Sequence, residues 1–295
     1  MPIPSAQFVE SSIREATGNG FELRELQPVA GGSIHACFLA KAQADQYFVK
    51  LGGPECADMF AAEADGLDAL RDASPFVIPA VIARANDEAH ACLVLESLEI
   101  SPLTSPVDGT RAGEALAILH THRHTQFGWH RSNFLGRTAL DNTFHAQWAS
   151  FLHHARFTPL LDAAADAGFV EVARRGRKFV ERLPALFVAD QPPAARLHGD
   201  LWHGNIGVLE DGRPVIFDPA TFYGDPLFDL AMTALFGGFP TSFYTAYRQT
   251  HPPVPEQEAR ERVYRCYHLL NHLVLFGRSY ERETLRLLDW LIGYR

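Results

Sequence analysis

Between residues 198 and 205 the chain reads HGDLWHGN, and thirteen residues past that Asn a short apolar run ends in FDPA. Asp200, Asn205 and Asp218 thus place three oxygen-bearing side chains at fixed offsets beside hydrophobic sequence. Such groups are costly to bury without partners. A carboxylate that accepts a proton from a hydroxyl would use one of them. A hard divalent cation would use the other two, since magnesium takes oxygen ligands and keeps several waters, so that one carboxylate and one amide suffice beside phosphate oxygens. A capping Asp or a turn Asn explains any one of these residues alone, but not the ordered set.

The offsets match the kinase catalytic-loop pattern H-R-D-L-x-x-x-N, with Gly199 in place of the Arg. In protein kinases that Arg answers a phosphorylated activation loop, so activation of that kind is not expected here. Asp218 takes the place of the Asp in D-F-G, with Pro219 where a flipping Phe would stand. Phosphoryl transfer depends on positioning and charge neutralisation more than on covalent chemistry. Asp200 is therefore assigned as the base, and Asn205 and Asp218 as magnesium ligands. His198 and Asp229 are assigned as structural support, Asp229 by accepting hydrogen bonds from the backbone of the catalytic loop. Asp225, before Pro226, reads as a turn residue. Upstream, Lys50 closes the run YFVK as a phosphate-binding lysine would, and Glu63 lies within a predicted helix from which it can reach Lys50. The stretch VAGGSIHACF lacks a glycine-rich consensus, but the N–H groups of Gly31, Gly32 and Ser33 could approach phosphate oxygens. Glu96 to Leu98 would offer backbone groups to the adenine of ATP.

The elements that must position these residues fall into two textures. Over 1–98 the sequence predicts a helix (SAQFVESSIREATG), an alternating strand, a hairpin across HACFLAKAQADQYFVKL, a helix opened by Pro54, and two further strands. Residues 99–109, rich in Pro, Ser, Thr and Gly, read as a linker. From 110 to 295 helical periodicity dominates, interrupted by a hairpin about Asp211-Gly212. The expected fold is α+β and bilobal, protein-kinase-like, with a small antiparallel-sheet lobe and a mostly helical lobe.

Composition narrows the partners. The 295 residues carry a net charge of −9, which disfavours nucleic acid, and no apolar run is long enough to span a membrane. The N-terminus lacks the basic and apolar regions of a signal peptide. Four scattered cysteines form no C-x-x-C pair, which suits a reducing, cytoplasmic setting. His120, His122 and His124 alternate, but no second ligand cluster at metal spacing accompanies them, so they read as structural or surface histidines.

On these residues the chain resembles the fructosamine kinase family, or ketosamine-3-kinases, a branch of the aminoglycoside phosphotransferase and choline kinase group. HGDLWHGN resembles the family's HGDLW-x-GN loop, PVIFDPATFYGDPLFDLAMTALFGGF its second signature, and YHLLNHLVLFGRSY a C-terminal one. FVKLG with FAAEADGL matches the Lys and Glu stations, and FGWHRSNFLG with WASFLHHARFTPLLD is similar to the substrate-lobe stretch. The resemblance implies ATP-dependent phosphorylation of the 3-hydroxyl of a ketosamine, with ribulosamine and erythrulosamine favoured over fructosamine, in deglycation repair. It also implies that Trp202 faces the sugar, the alternative being a Trp that packs the loop. Where many relatives carry Cys in the glycine loop this chain has Ser33, so a loop disulfide is not expected. A monomer or weak dimer is expected. The rival readings are another small-molecule kinase of this fold, for an aminoglycoside or choline, and a non-catalytic nucleotide-binding regulator.

Overall fold

The computed structural model describes residues 4–18, 20–29, 35–188 and 190–294. Gly31, Gly32 and Ser33 lie outside the described residues. The chain opens with helix α1 (Pro4–Thr17), which stops where Gly18 takes a left-handed φ of 59°. Five strands follow, β1 (Glu25–Val29), β2 (Ala36–Lys41), β3 (Gln46–Gly52), β4 (Val81–Asn86) and β5 (Ala91–Glu96), and they form one antiparallel sheet in the order β1-β2-β3-β5-β4. Helix α2 (Ala57–Arg71) is inserted between β3 and β4. Lys50 lies two residues inside β3 and not at its end, in register with Cys37 on one side and Leu93 on the other.

The expected linker is partly helix. Ser105 caps helix α3 (Pro106–Leu119) by accepting a hydrogen bond from the Asp108 N–H, and Pro106 occupies the first turn, where its missing N–H costs nothing. The cap residues that read as a loop are a helix start.

The second lobe contains α4 (Trp148–Phe151), a π-helical turn at Leu152–Phe157, α5 (Thr158–Asp166), α6 (Val170–Val180) and α7 (Leu183–Phe187). After these come α8 (Leu227–Thr233), α9 (Thr241–Thr250), α10 (Gln257–Phe276) and α11 (Glu281–Gly293). It holds more strand than the single expected hairpin. Besides β10 (Ile206–Val208) with β11 (Pro214–Ile216), there is a three-stranded sheet of β6 (Arg123–His124), β9 (Ala194–Leu197) and β12 (Phe222–Gly224). A further hairpin joins β7 (Asn133–Leu135) to β8 (Thr138–Leu140). Strands of two to four residues are too short to show a period of two, which is why they are silent in the sequence.

Two apolar cores result. One contains Val9, Ile13, Val49 and Val94 and seals α1 to the outer face of the sheet. The other runs from Phe60, Leu67, Leu93 and Leu95 into the second lobe without a break. No helix among the described residues is long and apolar enough to cross a membrane.

Candidate active site

The strands β9, β10, β11 and β12 hold both motif segments between them. Residues 198–205 bridge β9 to β10, and 217–221 bridge β11 to β12. The loop is fixed from beneath. The buried carboxylate of Asp229, on α8, accepts the backbone N–H of His198 (2.8 Å) and of Gly199 (2.9 Å) on its two oxygens. His120 Nε2 stands 3.2 Å from the same carboxylate, and its Nδ1 is 2.8 Å from the Tyr247 hydroxyl. Burial alone would raise the Asp229 pKa, but these donors and the neighbouring His198 hold it below the usual carboxylate value. Of the three alternating histidines, His120 is therefore wholly buried under the loop, while His122 and His124 are exposed.

His198 is also inaccessible, and burial pushes its pKa down, so the imidazole is neutral. Its Nε2–H donates to the Phe217 carbonyl (3.0 Å), and the Asp200 N–H donates to its Nδ1 (3.2 Å), which ties the two motif segments together. Gly199 explains the missing arginine in steric terms. Its φ is +85°, and a Cβ there would fall 2.1 Å from the Ala220 carbonyl oxygen. Asp225 does more than turn the chain. It is buried, accepts the Leu227 N–H (3.0 Å) and receives the Tyr264 hydroxyl (2.5 Å).

Above this floor the remaining motif residues meet. Asn205 Nδ2 donates to the Asp200 carbonyl (2.9 Å) and to Asp200 Oδ2 (3.1 Å), and its amide oxygen has no partner among the described residues. Burial, then the charge of Asp218, raises the Asp200 pKa to about 7. Asp218 itself takes φ 58°, the left-handed region that a non-glycine residue rarely enters, and such strain gathers at functional sites. Its Oδ1 lies 2.5 Å from Lys50 Nζ, and Glu63 Oε1 lies 2.8 Å from the same ammonium. Burial disfavours the charged lysine, but Asp218 and then Glu63 more than reverse this and raise its pKa. Burial pushes Glu63 up against the pull of Lys50, and the charge of Asp218 adds to the rise.

These residues line one cleft between the lobes, with a volume of about 1710 Å³. That is larger than the roughly 300–1,000 Å³ of a single small-ligand pocket and leaves room for two ligands side by side. Glu96, Ser97 and Leu98 form its rim at the end of β5. The Glu96 N–H is already given to the Ala80 carbonyl (2.8 Å), and the Leu98 N–H has no partner among the described residues. Trp202 is part-exposed on the cleft wall and folds over Gly204, where a Cβ would meet the indole at 2.5 Å. The indole thus both packs the loop and faces the cleft. Phe236, His272, Phe276 and Tyr280 continue the aromatic wall, with His272 4.7 Å from Phe236 and 5.2 Å from Tyr280 between ring centres. His272, Phe276 and Tyr280 follow one another four positions apart in YHLLNHLVLFGRSY, whereas Phe236 comes from the segment PVIFDPATFYGDPLFDLAMTALFGGF. Among the described residues no group of three or more His, Cys, Asp or Glu could hold a metal.

A lysine paired with a helix glutamate and with Asp218, and a loop aspartate beside an asparagine, line a cleft between a sheet lobe and a helical lobe, the architecture of the protein-kinase-like fold. An aminoglycoside phosphotransferase, solved with AMP-PNP and hygromycin B, superposes with a TM-score of 0.65 over 97% of each chain at 14% identity and so shares the fold. Within that fold the chain belongs to the fructosamine kinase family, whose profile matches residues 5–293. A probable ketoamine kinase of Synechocystis is 37% identical over 98% of both chains. A Haemophilus somnus crystal structure named for fructosamine-3-kinase superposes with a TM-score of 0.88 at 25% identity, covering 96% of each chain.

Proposed function

We propose that the protein transfers the γ-phosphoryl group of ATP to the 3-hydroxyl of a ketosamine. The observation that carries this reading is the meeting of Lys50, Glu63, Asp200, Asn205 and Asp218 in one cleft large enough for nucleotide and sugar. The Glu96 carbonyl and Leu98 N–H serve the adenine edge, and Lys50, held by Glu63, serves the phosphates. Asp200 accepts the hydroxyl proton as the sugar oxygen bonds to phosphorus and the bond to the ADP oxygen breaks. Its raised pKa suits a base that works near neutrality. The free amide oxygen of Asn205 and the carboxylate of Asp218 are hard-oxygen donors of the kind magnesium takes. When bound there, the ion supplies charge neutralisation on the phosphates. Trp202 offers an indole plane to the apolar face of the sugar.

The product carries phosphate on the carbon next to the ketone. Enolisation toward the amine-bearing carbon allows phosphate to leave, and hydrolysis of the resulting imine frees the amine. That sequence is a deglycation, and a reducing cytoplasmic setting agrees with four free thiols. Ribulosamines and erythrulosamines are the favoured substrates. The test is ATP turnover against ribulose-, erythrulose- and fructose-lysine, kanamycin and choline, with Asp200→Ala as the blank. Turnover confined to the ketosamines is expected. Turnover of kanamycin or choline alone would overturn the substrate, and none at all with ATP still bound would overturn the enzyme reading.

A further inference from the structure

The helix that carries Glu63 is bound on its far side to the second lobe. Glu63 and Asp65 are two positions apart, about 200° around a helix, so they face opposite ways. Glu63 meets Lys50, whereas Asp65 meets residues 129 and 130 of the second lobe. Trp129 Nε1 donates to Asp65 Oδ2 (2.7 Å), and His130 Nε2 lies 2.9 Å from Asp65 Oδ1, so both carboxylate oxygens are taken. Arg131 donates to the Ala61 carbonyl (3.0 Å) and Arg196 to the Ala69 carbonyl (2.8 Å), which secures α2 one turn to either side. Packing agrees. A Cβ on Gly66 would lie 3.0 Å from Pro219, the residue after Asp218, and Phe60, Leu67 and Leu70 belong to the core that continues through the second lobe.

From this geometry we infer that Asp65 is a positioning residue for phosphoryl transfer, clamping α2 through Trp129 and His130 so that Glu63 and Asp218 stay in one frame. Lys50 reaches this frame from the sheet, against which α2 also packs through Phe60 and Leu67 beside Leu93 and Leu95. The inference rests on the kinase reading of Lys50 and Glu63, and it concerns the nucleotide half of the cleft, away from the aromatic wall.

The test compares Asp65→Ala, Asp65→Asn and Trp129→Phe. Direct titration with ADP and magnesium is measured beside the KM values for ATP and for ribulose-lysine. Asp65→Ala is expected to weaken nucleotide binding and raise KM for ATP about tenfold or more. KM for the ketosamine should stay within about twofold, since that site lies outside the clamp. Asp65→Asn should recover most of the loss, because its amide oxygen still accepts from Trp129. Trp129→Phe keeps an aromatic ring but removes the indole N–H together with the pyrrole ring, so it should reproduce part of the loss even if Asp65→Ala does not fold. Unchanged nucleotide affinity in a folded Asp65→Ala or Trp129→Phe protein would overturn the clamp. So would equal rises in both KM values without rescue by Asn. Nucleotide titration needs no ketosamine, so a wrong substrate assignment cannot be mistaken for a failed clamp.

Discussion

Asp200 and Asp229 lie on opposite sides of the same loop, and their pKa values move in opposite directions. On the underside, Asp229 collects two backbone N–H groups and His120, and its pKa falls below that of an ordinary carboxylate. On the cleft side, Asp200 has one amide donor and a second carboxylate nearby, and its pKa rises to about 7. The number of donors decides the sign, because burial alone raises both. The underside region is built to hold charge at any working pH, and the cleft region is built to exchange a proton.

The largest expected effect comes from breaking the cleft side. Asp200→Ala should lower turnover by about 10²–10⁴-fold, the usual worth of a general base. It should leave ADP binding near the wild-type value, since Lys50 and Leu98 are untouched. Turnover within about tenfold of wild type would remove Asp200 from the base role.

Breaking the underside should act through stability first. Asp229→Ala strands two buried N–H donors, at about 1–3 kcal/mol each. It also frees the His198–Gly199 backbone, so activity falls together with the melting temperature. A variant that melts like wild type yet loses activity would mean that Asp229 acts on the substrate and not on the loop.

The contrast also shows how much could be read in advance. Loop residues were legible because one short segment fixes them. The two hydrogen bonds from the loop backbone to Asp229 agree with its reading as loop support, whereas the steric need for Gly199 arises from Ala220 in the other motif segment and was not read from the sequence. The role of Asp65 was not legible. FAAEADGL shows an acidic helix residue, but its partners Trp129 and His130 lie more than sixty positions away. Phe236 likewise meets His272 only when the segment after α8 packs beside α10, whereas His272 and Tyr280 already lie eight positions apart in one stretch. The start of α3 was misread because Ser105 and Pro106 serve a loop and a helix N-terminus equally well.

A smaller effect, the pH dependence of stability, has opposite signs at the two aspartates. Asp200 is raised from 3.8 to about 7 in the folded enzyme. Between those values the folded state binds a proton that the unfolded chain has already released, so Asp200 lowers stability progressively as pH climbs through that window. Above about pH 7 the full penalty is present, and below pH 4 it vanishes. Asp200→Asn keeps an oxygen for the Asn205 donor and removes the charge. In nucleotide-free protein it should therefore melt higher than wild type at pH 8, by roughly 2–4 °C per kcal/mol relieved. The gain should shrink toward zero near pH 4. In Asp229 the pKa is depressed, so its stabilisation is present above the unfolded value and is lost only as pH falls through the folded one. Asp229→Asn should accordingly melt lower than wild type at pH 8, where Asp200→Asn melts higher. Melting curves of both variants at pH 4.5, 6 and 8 decide it. If Asp200→Asn is destabilised at pH 8, or its gain does not depend on pH, the cleft carboxylate is not strained by burial and its fitness as a base near neutrality has another origin.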